Sequence, residues 1–100
     1  MKDKTFLLRV NSDEEAQLLA EALHAYALAA YPPGGSECAQ VSRETLQESA
    51  REIAANAATE RGAQLRRRQR VPMKAAVQWY FSNEGPGQAG LCAAMLRKFP

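Results

Sequence analysis

The chain has 100 residues, of which 46% are hydrophobic, and a formal net charge of +2. That length holds a single domain, residues 1–100, and excludes two-domain enzymes and multi-span membrane proteins. Nineteen residues are Ala, while Leu, Ile, Val and Phe together number eighteen, so a small core is expected, completed by a dimer or a partner surface, and a homodimer is favoured.

Lys4 to Val10 reads as a short strand, with Phe6, Leu8 and Val10 on one face and Thr5, Leu7 and Arg9 on the other. Ser12 then caps a helix. Glu15, three residues on, completes a capping box, and Asp13, Glu14 and Glu15 suit the positive end of the helix dipole. The helix runs to about Tyr31, with Ala16, Leu19, Leu23, Tyr26, Ala27 and Ala30 along its apolar side. Beyond Ala22 it is apolar almost all round, which predicts burial on several sides. Pro32-Pro33-Gly34-Gly35 stops it.

A second helix is expected from Ser42, with Leu46, Ala50, Ile53, Ala57 and Leu65 as a narrow stripe and Glu44, Glu48, Arg51 and Glu52 opposite. The pattern extends through Gly62 to Arg70. Val71-Pro72 reads as a break. Met73 to Ser82 alternates well enough for a second strand, yet Pro72 is a good first helical residue and Met73, Val77, Tyr80 and Phe81 share a helical face; the helix is slightly favoured. Asn83-Glu84-Gly85-Pro86-Gly87 is a turn, and Gly90 to Lys98 a final helix. The expected fold is mostly α, a short N-terminal strand followed by three to four helices. Its parts are a strand-helix-helix unit (4–58), a basic segment (61–70) and a C-terminal aromatic and helical extension (71–100).

Charge divides the chain. Residues 1–60 carry five basic and ten acidic side chains, a balance of −5; residues 61–100 carry eight basic and one acidic, a balance of +7. Such asymmetry points to nucleic acid or an acidic partner, unless the basic segment lies on the chain's own acidic helices or on those of a dimer mate. Five arginines fall between 61 and 70: Arg61, Arg66, Arg67, Arg68 and Arg70. The planar guanidinium donates two parallel hydrogen bonds to phosphate, and each phosphate neutralised releases counterion, giving affinity without sequence preference. Gln64 and Gln69 add side chains able to bond bases or sugars. Trp79, Tyr80 and Phe81 would stack on unpaired bases if exposed, but in a chain short of large apolar groups they are expected in the core.

Thr5-Phe6-Leu7-Leu8-Arg9-Val10, a capped helix, a Gly-containing loop and the run Val41-Ser42-Arg43-Glu44 together resemble, over residues 4–58, the ribbon-helix-helix family of DNA-binding proteins. The resemblance implies a dimer whose paired strands enter the major groove, with Thr5, Leu7 and Arg9 facing the bases. Leu7 would meet a thymine methyl, and Ser42 and Arg43 would lie at a phosphate contact on the second helix's N-terminus.

Other chemistry finds little footing. His24 is the single histidine, on an apolar helix with only Glu21 one turn away, and reads as structural. Cys38 and Cys92 form no C-x-x-C pair, which argues against a disulfide framework, and no local spacing supports a metal site with His24. Pro33-Gly34-Gly35-Ser36 lacks the Lys of a phosphate-binding loop. No cofactor and no enzymatic activity are expected. The apolar run Phe6-Leu7-Leu8 is too short for a signal peptide, and the uncharged stretch Ala22 to Ser36 is interrupted by prolines and glycines. A cytoplasmic protein without membrane contact is therefore expected. The leading expectation is a small non-enzymatic DNA-binding regulator held to phosphates by the arginine segment. The alternative is a protein-binding inhibitor or adaptor of the phage or plasmid kind (anti-CRISPR-like). Its acids Asp13, Glu14, Glu15, Glu44, Glu48 and Glu52 would meet a basic protein surface.

Overall fold

In the computed structural model, which describes residues 4–83 and 89–99, the N-terminal alternation becomes strand β1 (Thr5–Leu8), with Phe6 and Leu8 buried and Thr5 and Leu7 exposed. Helix α1 (Asp13–Ala30) starts at Ser12, whose Oγ accepts the Glu15 N–H at 3.2 Å. The Glu15 carboxylate reaches back one residue beyond the cap, accepting the Asn11 N–H at 2.7 Å. Ser12 thus satisfies one of the helix's orphaned N–H groups, while the Glu15 carboxylate takes the N–H of Asn11 and not that of Ser12, which the capping box would have paired.

Helix α2 (Glu37–Asn56) begins earlier than expected. Its cap is Ser36, whose Oγ accepts the Ala39 N–H at 3.2 Å, and Ser42 lies inside the helix in its second turn. The physical reason is that Ser36 is the first residue after Pro32–Gly35 able to cap, and nothing from Glu37 to Val41 opposes a helix. Helices α1 and α2 pack on each other through Ala16, Leu19, Leu23 and Ala27 from one and Leu46, Ala50 and Ile53 from the other. The far end of α1 is not buried on several sides: Leu28 is 50% exposed, and Ala29 and Ala30 are exposed.

Nor does α2 continue to Arg70. It ends at Asn56, and Gly62 adopts φ +75, a left-handed conformation in which a side chain would be strained. There the chain turns back into a second strand, β2 (Ala63–Arg66), antiparallel to β1 in the register Thr5↔Arg66, Phe6↔Leu65, Leu7↔Gln64, Leu8↔Ala63. The pairing is extended by Arg67 N–H to the Lys4 carbonyl at 2.8 Å, and Val10 N–H is held by the Ala57 carbonyl at 3.0 Å.

A short 3-10 turn (Arg67–Gln69) leads into α3 (Arg70–Asn83). The second strand therefore lies at 63–66 and not at 73–82, which is helical, and Val71-Pro72 is no break. Pro72 sits in the first turn of α3, where a missing N–H leaves no intrahelical bond unmade. Met73, Ala76, Val77 and Phe81 bury one helical face, and α3 packs on α1. Of the turn expected at 83–87, all beyond Asn83 lies outside the described residues. Helix α4 (Ala89–Leu96) packs on α3, and Phe99, just beyond it, is buried edge-on to Phe6 with ring centroids 6.3 Å apart. Among the described residues the fold is thus mostly helical, with four helices and a two-stranded sheet that lays one face on the core.

Candidate nucleic-acid interface

In a two-stranded sheet, alternate side chains share a face. Phe6 and Leu8 of β1 and Ala63 and Leu65 of β2 all point into the core. Thr5, Leu7, Gln64 and Arg66 therefore make the other face, where all four are exposed; Leu7, a large apolar residue, is 49% exposed. Arg9 extends this face. A Cβ placed on Gly62 would come within 3.1 Å of the Arg9 Cγ and 3.2 Å of its Nε, so the arginine lies across the glycine as the next cross-strand neighbour. Of the predicted site residues, Thr5, Arg9 and Arg66 are thus brought onto one surface. At the end of β2 the turn presents Arg67 and Arg68, both exposed, and Arg61 is exposed in the loop before Gly62. That loop is shaped by Asn56, whose carbonyl accepts the Thr59 N–H at 3.0 Å and the Thr59 hydroxyl at 2.7 Å. Arg70 is half-buried at the start of α3.

The outer edge of β2 faces α2 across a cleft of about 340 Å³ whose lining includes Glu48, Arg51, Glu52, Gln64 and Arg66. Glu52 is committed within this cleft: one carboxylate oxygen accepts the Gln64 N–H at 3.0 Å and the other the Asn56 Nδ2–H at 3.1 Å. One arginine of the basic segment, Arg66, therefore shares a cleft with two of the chain's own carboxylates, whereas Arg67 does not line it.

Two predicted phosphate ligands are placed otherwise. Ser42, inside α2, has no helix N-terminus to offer. Arg43 turns its Nη1–H to the Tyr31 carbonyl at 3.3 Å, closing the C-terminal end of α1, which has no basic residue in its last turn. The acidic residues fall in two groups, with Glu44, Glu48 and Glu52 four apart along one side of α2 and Asp13, Glu14 and Glu15 at the start of α1. Glu15 serves the α1 cap and Glu52 holds β2. Asp13 and Glu14, at the start of α1, lie by the end of α2, since Val10 bonds Ala57; Glu44 is far back along the same helix, about 18 Å away at ~1.5 Å per residue. The strand partner of β1 is β2 of the same chain, whereas the ribbon-helix-helix pattern pairs strands from two chains.

The aromatic triplet is structural in large part. Phe81 is buried, Trp79 meets Tyr26 edge-on at 5.8 Å, and the Tyr80 hydroxyl donates to Glu21 at 3.2 Å. Cys38 is exposed and Cys92 half-buried; among the described residues no three His, Cys, Asp or Glu side chains are grouped to hold a metal. None of the described helices is long and apolar enough to cross a membrane. What sequence reasoning missed is the cross-strand pair Leu7–Gln64. Its signal was the four-residue alternation Ala63-Gln64-Leu65-Arg66 directly after a glycine. Compared with protein-family models, curated proteins and solved structures, the chain finds no match.

Proposed function

We propose that the protein is a small non-enzymatic DNA-binding regulator that grips phosphates with Arg61, Arg66, Arg67 and Arg68, assisted by Arg9. The observation that carries this reading is the position of Arg67 and Arg68. Both are exposed on the turn that continues β2, close in sequence to the strand pair whose outward face bears Arg9 and Arg66; Arg68 also lines a cleft with Tyr31, Val41 and Pro72. Several arginines carried close together by one strand and turn suit a phosphate backbone, since each guanidinium can donate paired hydrogen bonds to a phosphate. Dimerisation belongs to the same reading, supported by the exposure of Leu28, Val41 and Val71, which a second chain would cover in part.

The test is fluorescence anisotropy with labelled duplex DNA across a salt series. Wild type should bind with a steep salt dependence. Replacing Arg67 and Arg68 together with Ala should weaken binding to every sequence alike and make the slope of log affinity against log salt shallower by about 2. Equal binding by the double variant would remove these arginines from the contact. No binding by wild type at low salt would overturn the reading and turn attention to a protein partner.

A further inference from the structure

Two clefts of equal size, each about 340 Å³, meet at Thr45 of α2. They differ in chemistry. The first, between α2 and β2, is lined by Glu48 and Glu52 as well as Arg51 and Arg66, so its charges balance within the chain. The second lies where the end of α1, the first half of α2 and the turn into α3 converge. Tyr31, Val41, Leu46 and Pro72 give it apolar walls. Among the described residues Arg68 is the single charged side chain that lines it, and no carboxylate does. We infer that this second cleft binds a small organic carboxylate with an aromatic body, the ring held between Tyr31, Val41 and Pro72 and the carboxylate on Arg68.

Size, shape and charge agree. A cavity of about 150 Å³ holds a benzene ring, and ligand sites begin near about 300 Å³. This cleft therefore suits one ring with a short arm. Val41 is 62% exposed and Leu46 1%, so the cleft runs from an open lip to a closed apolar floor. The flat faces of Tyr31 and Pro72 favour a flat body over a branched one. These walls are in place before a ligand arrives. Tyr26 packs edge-on against Tyr31 with ring centroids 6.5 Å apart, the Arg43 Nη1–H holds the Tyr31 carbonyl at 3.3 Å, and Pro72 is fixed in the first turn of α3. Walls already ordered cost little further entropy on binding. A guanidinium matches a carboxylate with paired hydrogen bonds. Thr45 donates its hydroxyl to the Val41 carbonyl at 2.7 Å, so Ser42, which also lines the cleft, is the hydroxyl that can donate to the second oxygen. Arg68 is also among the arginines that grip phosphate in the reading above. Where that reading holds, carboxylate and phosphate compete for it, and each weakens the other by the same factor.

Titration of the full chain with 3-phenylpropionate, followed by proton–nitrogen NMR, tests this. Two controls separate the parts: 3-phenylpropionamide has the ring without the charge, and acetate the charge without the ring. Phenylpropionate should saturably shift the amides of Val41 and Ser42 and the Arg68 Nε–H, and bind at least about tenfold tighter than either control. Arg68→Gln should weaken it by about tenfold or more and abolish the preference over the amide. Val41→Glu sets a like charge at the lip and should weaken it comparably. Both positions are exposed, so circular dichroism of the variants should match wild type. Equal binding of the amide, or full affinity in Arg68→Gln, overturns the inference. So does the absence of shifts at the cleft, as when a second chain covers Val41. Anisotropy on labelled duplex should show weaker DNA binding at saturating phenylpropionate. Unchanged DNA affinity overturns the shared use of Arg68. Bound phenylpropionate in a chain that binds no DNA overturns the DNA-binding reading and leaves the carboxylate site standing.

Discussion

The α1–α2 pair and the β1–β2 pair solve the same problem in opposite ways. The helices close on each other through alanines and a few leucines; Ser12 and Ser36 each cap their own helix, and Arg43 of α2 closes the end of α1. The sheet gives half of its side chains to the core and leaves the other half uncovered. The helical pair is therefore where the chain gains stability, and the sheet is where it shows chemistry to the outside. Leu7 and Leu8 put the difference in one dipeptide: Leu8 is fully buried and Leu7 half-exposed, with the same side chain on adjacent residues.

That pair gives the sharpest way to break the comparison. Leu8→Ala should lower unfolding free energy by about 2–5 kcal/mol in urea titrations, and Leu7→Ala should change it by less than about 0.5 kcal/mol. Equal losses would mean that the outer face is packed against something. On the helical side, Ser36→Ala should cost about 1 kcal/mol because the Ala39 N–H loses its acceptor, and Ser42→Ala should stay within about 0.5 kcal/mol. The reverse order would restore Ser42 as the start of α2. The smallest effect joins the two regions. Glu52→Ala should cost about 0.5–1 kcal/mol and speed hydrogen exchange at the Gln64 amide, with little change at amides in the middle of α1. Unchanged exchange at Gln64 would show that α2 does not hold the edge of β2.

Much of the first third of the molecule was legible in the sequence because its signals are local. Alternation around Phe6 and Leu8, the Ser12–Glu15 spacing and the double proline after Tyr31 each act within a few residues. The misplacements have a common cause, which is that the deciding partner was distant. Ala63-Gln64-Leu65-Arg66 is too short and too basic to declare itself a strand; it becomes one because Phe6 and Leu8 need a neighbour and Gly62 permits the turn. Ser36 and Ser42 are equally good caps in isolation, and only the weakly patterned stretch between them decided the matter. Arg43 looked like a phosphate ligand until the bare carbonyl of Tyr31, twelve positions back, claimed one of its N–H groups. Of the candidate contact residues, those on β1 were readable from alternation alone, and Gln64 acquired its meaning only from the register.

That register also sets an order of assembly. The partner of β1 lies beyond both long helices, so the ribbon cannot form until Arg66 has been synthesised and the α1–α2 hairpin has drawn the strands together. During that interval Phe6 and Leu8 belong to a strand without a mate, a segment exposed to aggregation while the chain is incomplete. The α1–α2 hairpin is local in sequence and the ribbon is not, so closing β1 on β2 carries the larger loop-closure cost, and a ligand seated across both strands would slow their reopening.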